Sequence, residues 1–303
     1  MTNLKVNIAG VSFKNPVITA SGCFGFGREY ECMYPLERLG GISLKGMTFQ
    51  EKLGNPPPRI AETPSGMLNS VGLQNPGVEH FLEHDMPYLA KQDTVKIANI
   101  AGSSIEDYCA IAERLSESEI DMVELNISCP NVKQGGAAFG TSCESAERVV
   151  KEVRKYAKKP MIVKLSPNVT DIVSIAKAVE AQGADAVSLI NTLLGMRIDI
   201  NTRRPILKNN VGGLSGPAIF PVAVRMVWQV ANAVKVPVIG MGGIEKWQDA
   251  IEMMMAGANA IQIGAAMFYN PMAPVQVIEG MRKWLEDNHI EDINEIVGSV
   301  RPW

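Results

Sequence analysis

Short apolar runs rich in β-branched residues recur along the chain, bounded by Gly, Pro or Asn, with longer stretches of helical apolar spacing between them. Eight of the runs read as strands: residues 17–20, 42–45, 95–100, 122–126, 161–165, 186–190, 236–240 and 260–264. The intervening spacing predicts helices over 104–118, 143–158, 170–182, 217–234 and 246–255, with a final one over 271–288. Each strand is close to continuously hydrophobic rather than alternating, the pattern of a parallel sheet covered by helices. Eight such units favour closure into a (β/α)8 TIM barrel.

Two features depart from the bare repeat. Residues 6–13, Val-Asn-Ile-Ala-Gly-Val-Ser-Phe, read as a β-hairpin ahead of the first strand, placed to plug the N-terminal end of the barrel. The connections after strands two and six are long insertions, 47 to about 77 and 193–216, the first holding Pro56-Pro57-Pro58 and the second Gly212-Gly213. Both leave the C-terminal ends of strands, the face on which barrel active sites are built. No repeat, low-complexity tract or linker-like shift divides the sequence, so residues 1–303 are expected to form a single domain.

Charge and composition narrow the function classes. A formal charge of −3 and a pI near 5.8 provide no basic field, so neither nucleic acid nor an anionic membrane is expected as a partner. Five cysteines, at 23, 32, 109, 129 and 143, contain no C-x-x-C pair, which argues against a disulfide framework, a zinc site or an iron–sulfur site in this chain. The first residues lack a charged stretch leading into an apolar segment, and no run approaches the roughly 18 apolar residues of a membrane span. A soluble, unprocessed, cytoplasmic protein acting on a small molecule is expected.

Polar and reactive residues gather at the strand ends. Ser21 follows strand one, Lys45 ends strand two, Asn99 lies in three, Asn126 ends four, Lys164 lies in five and Asn191 follows six. Alone, each could be a solvated rim residue; together they converge on one rim. Lys45 and Lys164 each close an otherwise apolar strand, where an ammonium needs an anionic or acceptor-rich partner. Gly240-Met241-Gly242-Gly243-Ile244 after strand seven and Gly264-Ala265-Ala266 after strand eight form a phosphate cradle in the position where barrels commonly bind one, although tight βα turns alone also call for glycine.

Directly after strand four comes Asn126-Ile127-Ser128-Cys129-Pro130-Asn131-Val132, followed by Gly135-Gly136. A cysteine is more often a small buried hydrophobe, but the Ser, Pro and Asn around Cys129 favour a functional thiol. The only histidines, 80, 84 and 289, sit at no strand end, so Cys129 is the best candidate for a general base. His80 and His84 have helical metal-ligand spacing, but nothing acidic or thiol-bearing completes a site, and no metal is expected.

These stretches, with Asn15-Pro16-Val17-Ile18-Thr19-Ala20-Ser21-Gly22, Lys45-Gly46, residues 67–77 (Met-Leu-Asn-Ser-Val-Gly-Leu-Gln-Asn-Pro-Gly) and Asn191-Thr192, resemble the class 1 dihydroorotate dehydrogenase family over essentially the whole chain. The resemblance implies FMN held by Ser21, Lys45, Gly46, Asn99, Asn126, Lys164, Ile190, Gly216, Gly242, Gly243, Gly264 and Ala265. It implies a pyrimidine substrate held by Lys45, Asn69, Ser70, Val71, Gly72, Leu73, Asn126, Asn131, Asn191 and Thr192. Asparagines suit such a ring because each amide offers both donor and acceptor. In the family, Cys129 would take a proton from C5 of (S)-dihydroorotate while hydride leaves C6 for the flavin, and Lys164 would stabilise the reduced flavin, giving orotate for pyrimidine biosynthesis.

Within the family, Gly22-Cys23-Phe24-Gly25-Phe26-Gly27, Lys45-Gly46 and Asn131-Val132-Lys133-Gln134-Gly135-Gly136 look like the heteromeric subtype, which reduces NAD+ through a separate subunit carrying FAD and a 2Fe–2S cluster. The chain lacks a cysteine cluster or a strand followed by G-x-G-x-x-G that would place those functions here. A homodimer within a heterotetramer is the implied assembly. The alternatives are the fumarate-dependent class 1A enzyme, a dihydropyrimidine dehydrogenase-like flavin barrel, a flavin-free lyase or isomerase on a phosphate-binding barrel, and, last, a noncatalytic binding protein.

Overall fold

The computed structural model describes residues 2–128 and 139–303. The opening hairpin forms as expected: β1 (Val6–Ile8) pairs antiparallel with β2 (Val11–Phe13), Val6 opposite Phe13. Its turn residues, Ala9 and Gly10, lie at φ 51° and 85°, the left-handed values that match a two-residue turn to twisted strands. Then come β3 (Val17–Thr19), the short α1 (Arg28–Glu31) and β4 (Gly41–Ser43). The first insertion carries its own hairpin, β5 (Ile60–Thr63) and β6 (Gly66–Asn69), and ends in a helical stretch in which α2 (Val78–His80) and α3 (Met86–Leu89) flank a π-helical turn.

Regular βα units follow: β7 (Val95–Ile100), α4 (Ile105–Ser116), β8 (Met122–Asn126), α5 (Cys143–Arg154), β9 (Met161–Lys164), α6 (Ile172–Ala181) and β10 (Ala186–Leu189). The second insertion holds β11 (Leu193–Gly195), β12 (Ile198–Asp199), β13 (Arg204–Pro205) and β14 (Gly212–Ser215). The chain closes with α7 (Phe220–Ala231), β15 (Val238–Met241), α8 (Trp247–Met255), β16 (Ala260–Ile263) and α9 (Ala273–Asp287).

Eight strands close into the expected barrel in the order β10-β15-β16-β3-β4-β7-β8-β9, every ladder parallel. The helices bury one stripe each. In α5, Ala146, Val149, Val150 and Val153 are buried, the i, i+3, i+4, i+7 set that faces a sheet. Side-chain caps start these helices: Ser104 and Asp107 make a reciprocal capping box on α4, and Asp171 accepts from Val173 N and Ser174 N on α6. At the N-terminal end, Phe13 is fully buried against Gly41 at the start of β4, so close that a Cβ on Gly41 would lie 2.8 Å from its ring. The two insertions meet in one antiparallel sheet of order β11-β14-β6-β5, with Gly213 opposite Asn69.

Candidate active site

A cavity of about 410 Å³ opens at the C-terminal ends of the barrel strands, roofed on one side by the insertion sheet. Among its lining residues are all of the described residues expected to hold flavin and pyrimidine: Ser21, Lys45, Gly46, Asn69, Ser70, Val71, Gly72, Leu73, Asn99, Asn126, Lys164, Ile190, Asn191, Thr192, Gly216, Gly242, Gly243, Gly264 and Ala265. Cys129 and Asn131 lie outside the described residues. Ser128, the chain neighbour of Cys129, lines the cavity.

The barrel strands aim these side chains. Register puts Asn126 of β8 beside Lys164 of β9, and Ser188 of β10 on the other side of Lys164. Lys164 is 5% exposed, and among the described residues no ion pair engages either it or Lys45. Burial pushes the Lys45 ammonium down from the ordinary lysine range; the nearby Cys23 sulfur favours its charge and Arg59 opposes it. A bound anion would relieve that position.

The amides are tied into a chain along the rim. Asn126 Oδ1 accepts from Ser128 Oγ at 2.7 Å, Asn191 Nδ2 donates to the same hydroxyl, and Asn191 Oδ1 accepts from Thr192 N at 2.9 Å. Asn168, exposed at the edge, donates to Thr192 O at 2.9 Å and accepts from Leu194 N at 2.9 Å, fixing the start of β11. On the facing wall Asn55 Nδ2 donates to Ser70 O at 2.8 Å. Ser70 Oγ is buried without a hydrogen-bond partner, free to serve a ligand.

The glycine loops form a pocket that only a missing side chain leaves open. Gly242 and Gly243 lie at φ 125° and 77°, where a side chain is strained. A Cβ on Gly243 would stand 2.9 Å from Phe220 N and from Gly216 O, and one on Gly242 2.9 Å from Ala223 Cβ. The loop after β15 therefore packs against the start of α7, where helix amides favour an anion. This cradle, the lysine pair and the unpartnered Ser70 hydroxyl together suit a phosphate-bearing, acceptor-rich cofactor with an anionic substrate, as FMN and a carboxylated pyrimidine would be.

Several lining residues were not singled out from sequence for this site. Cys23 lies at the wall, its sulfur 3.5 Å from where a Cβ of Gly264 would stand, and burial pushes its thiol up. Gln262 reaches the cavity from within β16, and Phe268 and Tyr269 stand 55% and 62% exposed at its mouth. Beneath the floor, Glu124 is fully buried in β8. A charged residue inside an otherwise apolar strand was the available signal for it. His80 and His84 stack with ring centroids 4.2 Å apart on the outer helical stretch, away from the cavity.

Comparison with known proteins gives this geometry a family. The family model described as dihydroorotate dehydrogenase matches residues 3–285. Similar proteins include one from Alkaliphilus metalliredigens (strain QYMF), 59% identical over 298 residues covering 98% of this chain and 99% of the relative. Others come from Thermoanaerobacter pseudethanolicus (55% over 299 residues) and Bacteroides thetaiotaomicron (55% over 301 residues), each covering 99% of both chains. All three are named dihydroorotate dehydrogenase B (NAD(+)), catalytic subunit. With a parallel eightfold barrel, a rim cavity and a match along nearly its full length, the chain belongs to the dihydroorotate dehydrogenase family.

Proposed function

We propose that this chain is the catalytic subunit of an NAD+-dependent dihydroorotate dehydrogenase and oxidises (S)-dihydroorotate to orotate. The observation that carries the reading is the convergence of two strand-end lysines, the asparagine chain and the glycine cradle on one cavity. Gly242, Gly243, Gly264 and Ala265 would hold the FMN phosphate, and Ser21, Gly46, Asn99, Asn126, Lys164, Ile190 and Gly216 the rest of the cofactor. Bound FMN would supply the hydride acceptor. Asn69 to Leu73, Asn126, Asn131, Asn191 and Thr192 would orient the pyrimidine, and Lys45 would meet its carboxylate.

Cys129 would take the C5 proton. An ordinary thiol, with a pKa of about 8.5, is only a few per cent thiolate at neutral pH, so the reaction is expected to quicken from pH 6 to 9. Lys164, one strand from Asn126, would favour the reduced cofactor electrostatically. Electrons would leave through a second subunit carrying FAD and a 2Fe–2S cluster, a reading supported by the words "catalytic subunit" and "NAD(+)" in the relatives' names. We place the protein in the cytoplasm as a homodimer within a heterotetramer, each chain one FMN-binding domain over 1–303. Among the described residues no helix is long and apolar enough to cross a membrane.

Anaerobic addition of dihydroorotate to the purified protein tests the assignment: the visible flavin bands should bleach. Retained colour, or equal reaction with 5,6-dihydrouracil, would overturn it. Cys129→Ser should retain FMN but slow bleaching by about 10²-fold or more, the usual weight of a general base. Rapid fumarate reduction by the chain alone would favour the fumarate-dependent subtype.

A further inference from the structure

Under the cavity floor, five barrel strands each send a polar side chain to one point. Glu124 of β8 accepts through Oε2 from Ser43 Oγ of β4 at 3.0 Å and from Asn99 Nδ2 of β7 at 2.7 Å. Through Oε1 it accepts from Ser188 Oγ of β10 at 2.8 Å and from Gln262 Nε2 of β16, across the barrel, at 2.9 Å. Ser43, Glu124 and Ser188 are wholly shielded from solvent. Burying a lone carboxylate costs several kcal/mol, more than neutral donors ordinarily return, so a countercharge is needed if it stays ionised. Burial alone would push this carboxyl up; Lys164 and the donors Asn99, Ser188 and Gln262 outweigh that and hold it below the ordinary carboxylate range. Glu124 and Lys164 are not in ion-pair contact, so the charge acts through space.

We propose that Glu124 is a positioning residue for the redox site: a permanently ionised carboxylate beneath the cavity that serves as the countercharge of Lys164 and offsets part of that ammonium's field at the flavin. The four donors fill both carboxylate oxygens, leaving the ammonium free to face the cavity rather than collapse into a contact pair. The same acceptor-only group fixes the Asn99 and Gln262 amides with their nitrogens inward. Their oxygens, Asn99 Oδ1 and Gln262 Oε1, are buried without hydrogen-bond partners, as this orientation requires. The inference rests on the flavin reading above.

Two charge variants test it. Glu124→Gln removes the negative charge and should raise the flavin midpoint potential, changing the reduced-to-oxidised ratio at fixed potential by tenfold or more, about 30 mV for a two-electron couple. Glu124→Asp keeps the charge and should stay near the wild-type potential. A residue that merely fills the core would shift neither potential in a charge-dependent direction, so equal potentials in all three proteins would overturn the proposal. A cofactor-free measurement guards against a misfolded single variant. Thermal unfolding of apoprotein should show Lys164→Met less stable than Lys164→Met with Glu124→Gln, because the double variant leaves no unbalanced charge. Additive losses would count against the countercharge role. Wild-type protein that binds no FMN would instead sink the flavin reading itself.

Discussion

At the scale of single residues, the site holds in Lys45 a positive charge that stability alone would not select. Lys45 is largely buried, has no ion pair among the described residues and has its ammonium pushed below the ordinary lysine range, first by burial. A lysine with a depressed folded pKa binds its proton less tightly folded than unfolded, so its cost is fully present below the folded value and fades as pH rises from there to the unfolded value. Lys45→Met should therefore unfold at an equal or higher temperature than wild type while losing affinity for orotate by tenfold or more, measured by flavin-band titration. A marked fall in Tm would contradict this.

Glu124 gives the opposite sign. Glu124 is depressed in the folded protein, so its contribution is present above the unfolded carboxyl value, about 4.3, and is lost as pH falls through the folded value. In Lys164→Met the largest influence lowering this carboxyl is removed, and burial, the largest raising it, is expected to lift it above the unfolded value. Its contribution would then be present below about 4.3 and lost as pH rises through the raised folded value. Relative to wild type, this variant should lose stability from pH 5 to 8, with a deficit of about 3 kcal/mol at the upper end; a deficit independent of pH would sink the argument.

At the scale of elements, the barrel units were legible because hydrophobic runs and helical spacing are local signals. The ends were less so, since side chains far along the chain decide them. The helix expected over 143–158 stops at Arg154, whose guanidinium turns to the Ala157 and Lys159 carbonyls and to Asp185, at 2.6 Å from the last. The strand expected over 42–45 ends at Ser43, as Lys45 N leaves the ladder to donate to Gly25 O at 3.0 Å. The insertion sheet is not legible in the sequence because its strands are short, carry Gly212-Gly213 in place of alternation, and are joined at the centre by β14 with β6, more than a hundred residues apart. The role of Glu124 is hidden for a similar reason: its partners come one each from β4, β7, β10 and β16, and only the closed barrel brings them together. Gly240 shows what such packing demands, since a Cβ there would stand 2.9 Å from Met253 Sδ and 3.1 Å from Ala258 Cβ, between β15 and α8. Gly240→Ala should cost about 1–3 kcal/mol, and Gly240→Ala with Met253→Ala should lose less than the sum of the two single variants. Additive thermal shifts would refute this picture of the contact.

At the scale of the molecule, the barrel separates a stability end from a chemical end. Phe13 and the hairpin β1–β2 cover the N-terminal mouth, whereas every assigned ligand contact among the described residues lies at the C-terminal mouth. The N-terminus is tied to the region after α9: Asn3 N donates to Glu291 O at 2.7 Å, Ile293 N donates to Asn3 O at 3.0 Å, and Asn3 Nδ2 donates to Asp292 at 2.9 Å. Phe13 links the hairpin to the start of β4 and is not among the residues lining the rim cavity. Phe13→Ala removes a fully buried ring from a site whose neighbours are fixed by backbone bonds, so the cavity has little room to collapse. A loss of about 3–5 kcal/mol is expected, seen as a Tm lower by about 5–8 °C. Because the strands between the two mouths are hydrogen-bonded into a closed cylinder, that loss should remain at the bottom. Flavin affinity and the rate of bleaching by dihydroorotate, measured well below the transition, should stay within about twofold of wild type. A variant that keeps its Tm but loses flavin would mean that the two ends are not separable, and that the hairpin shapes the site through the barrel wall.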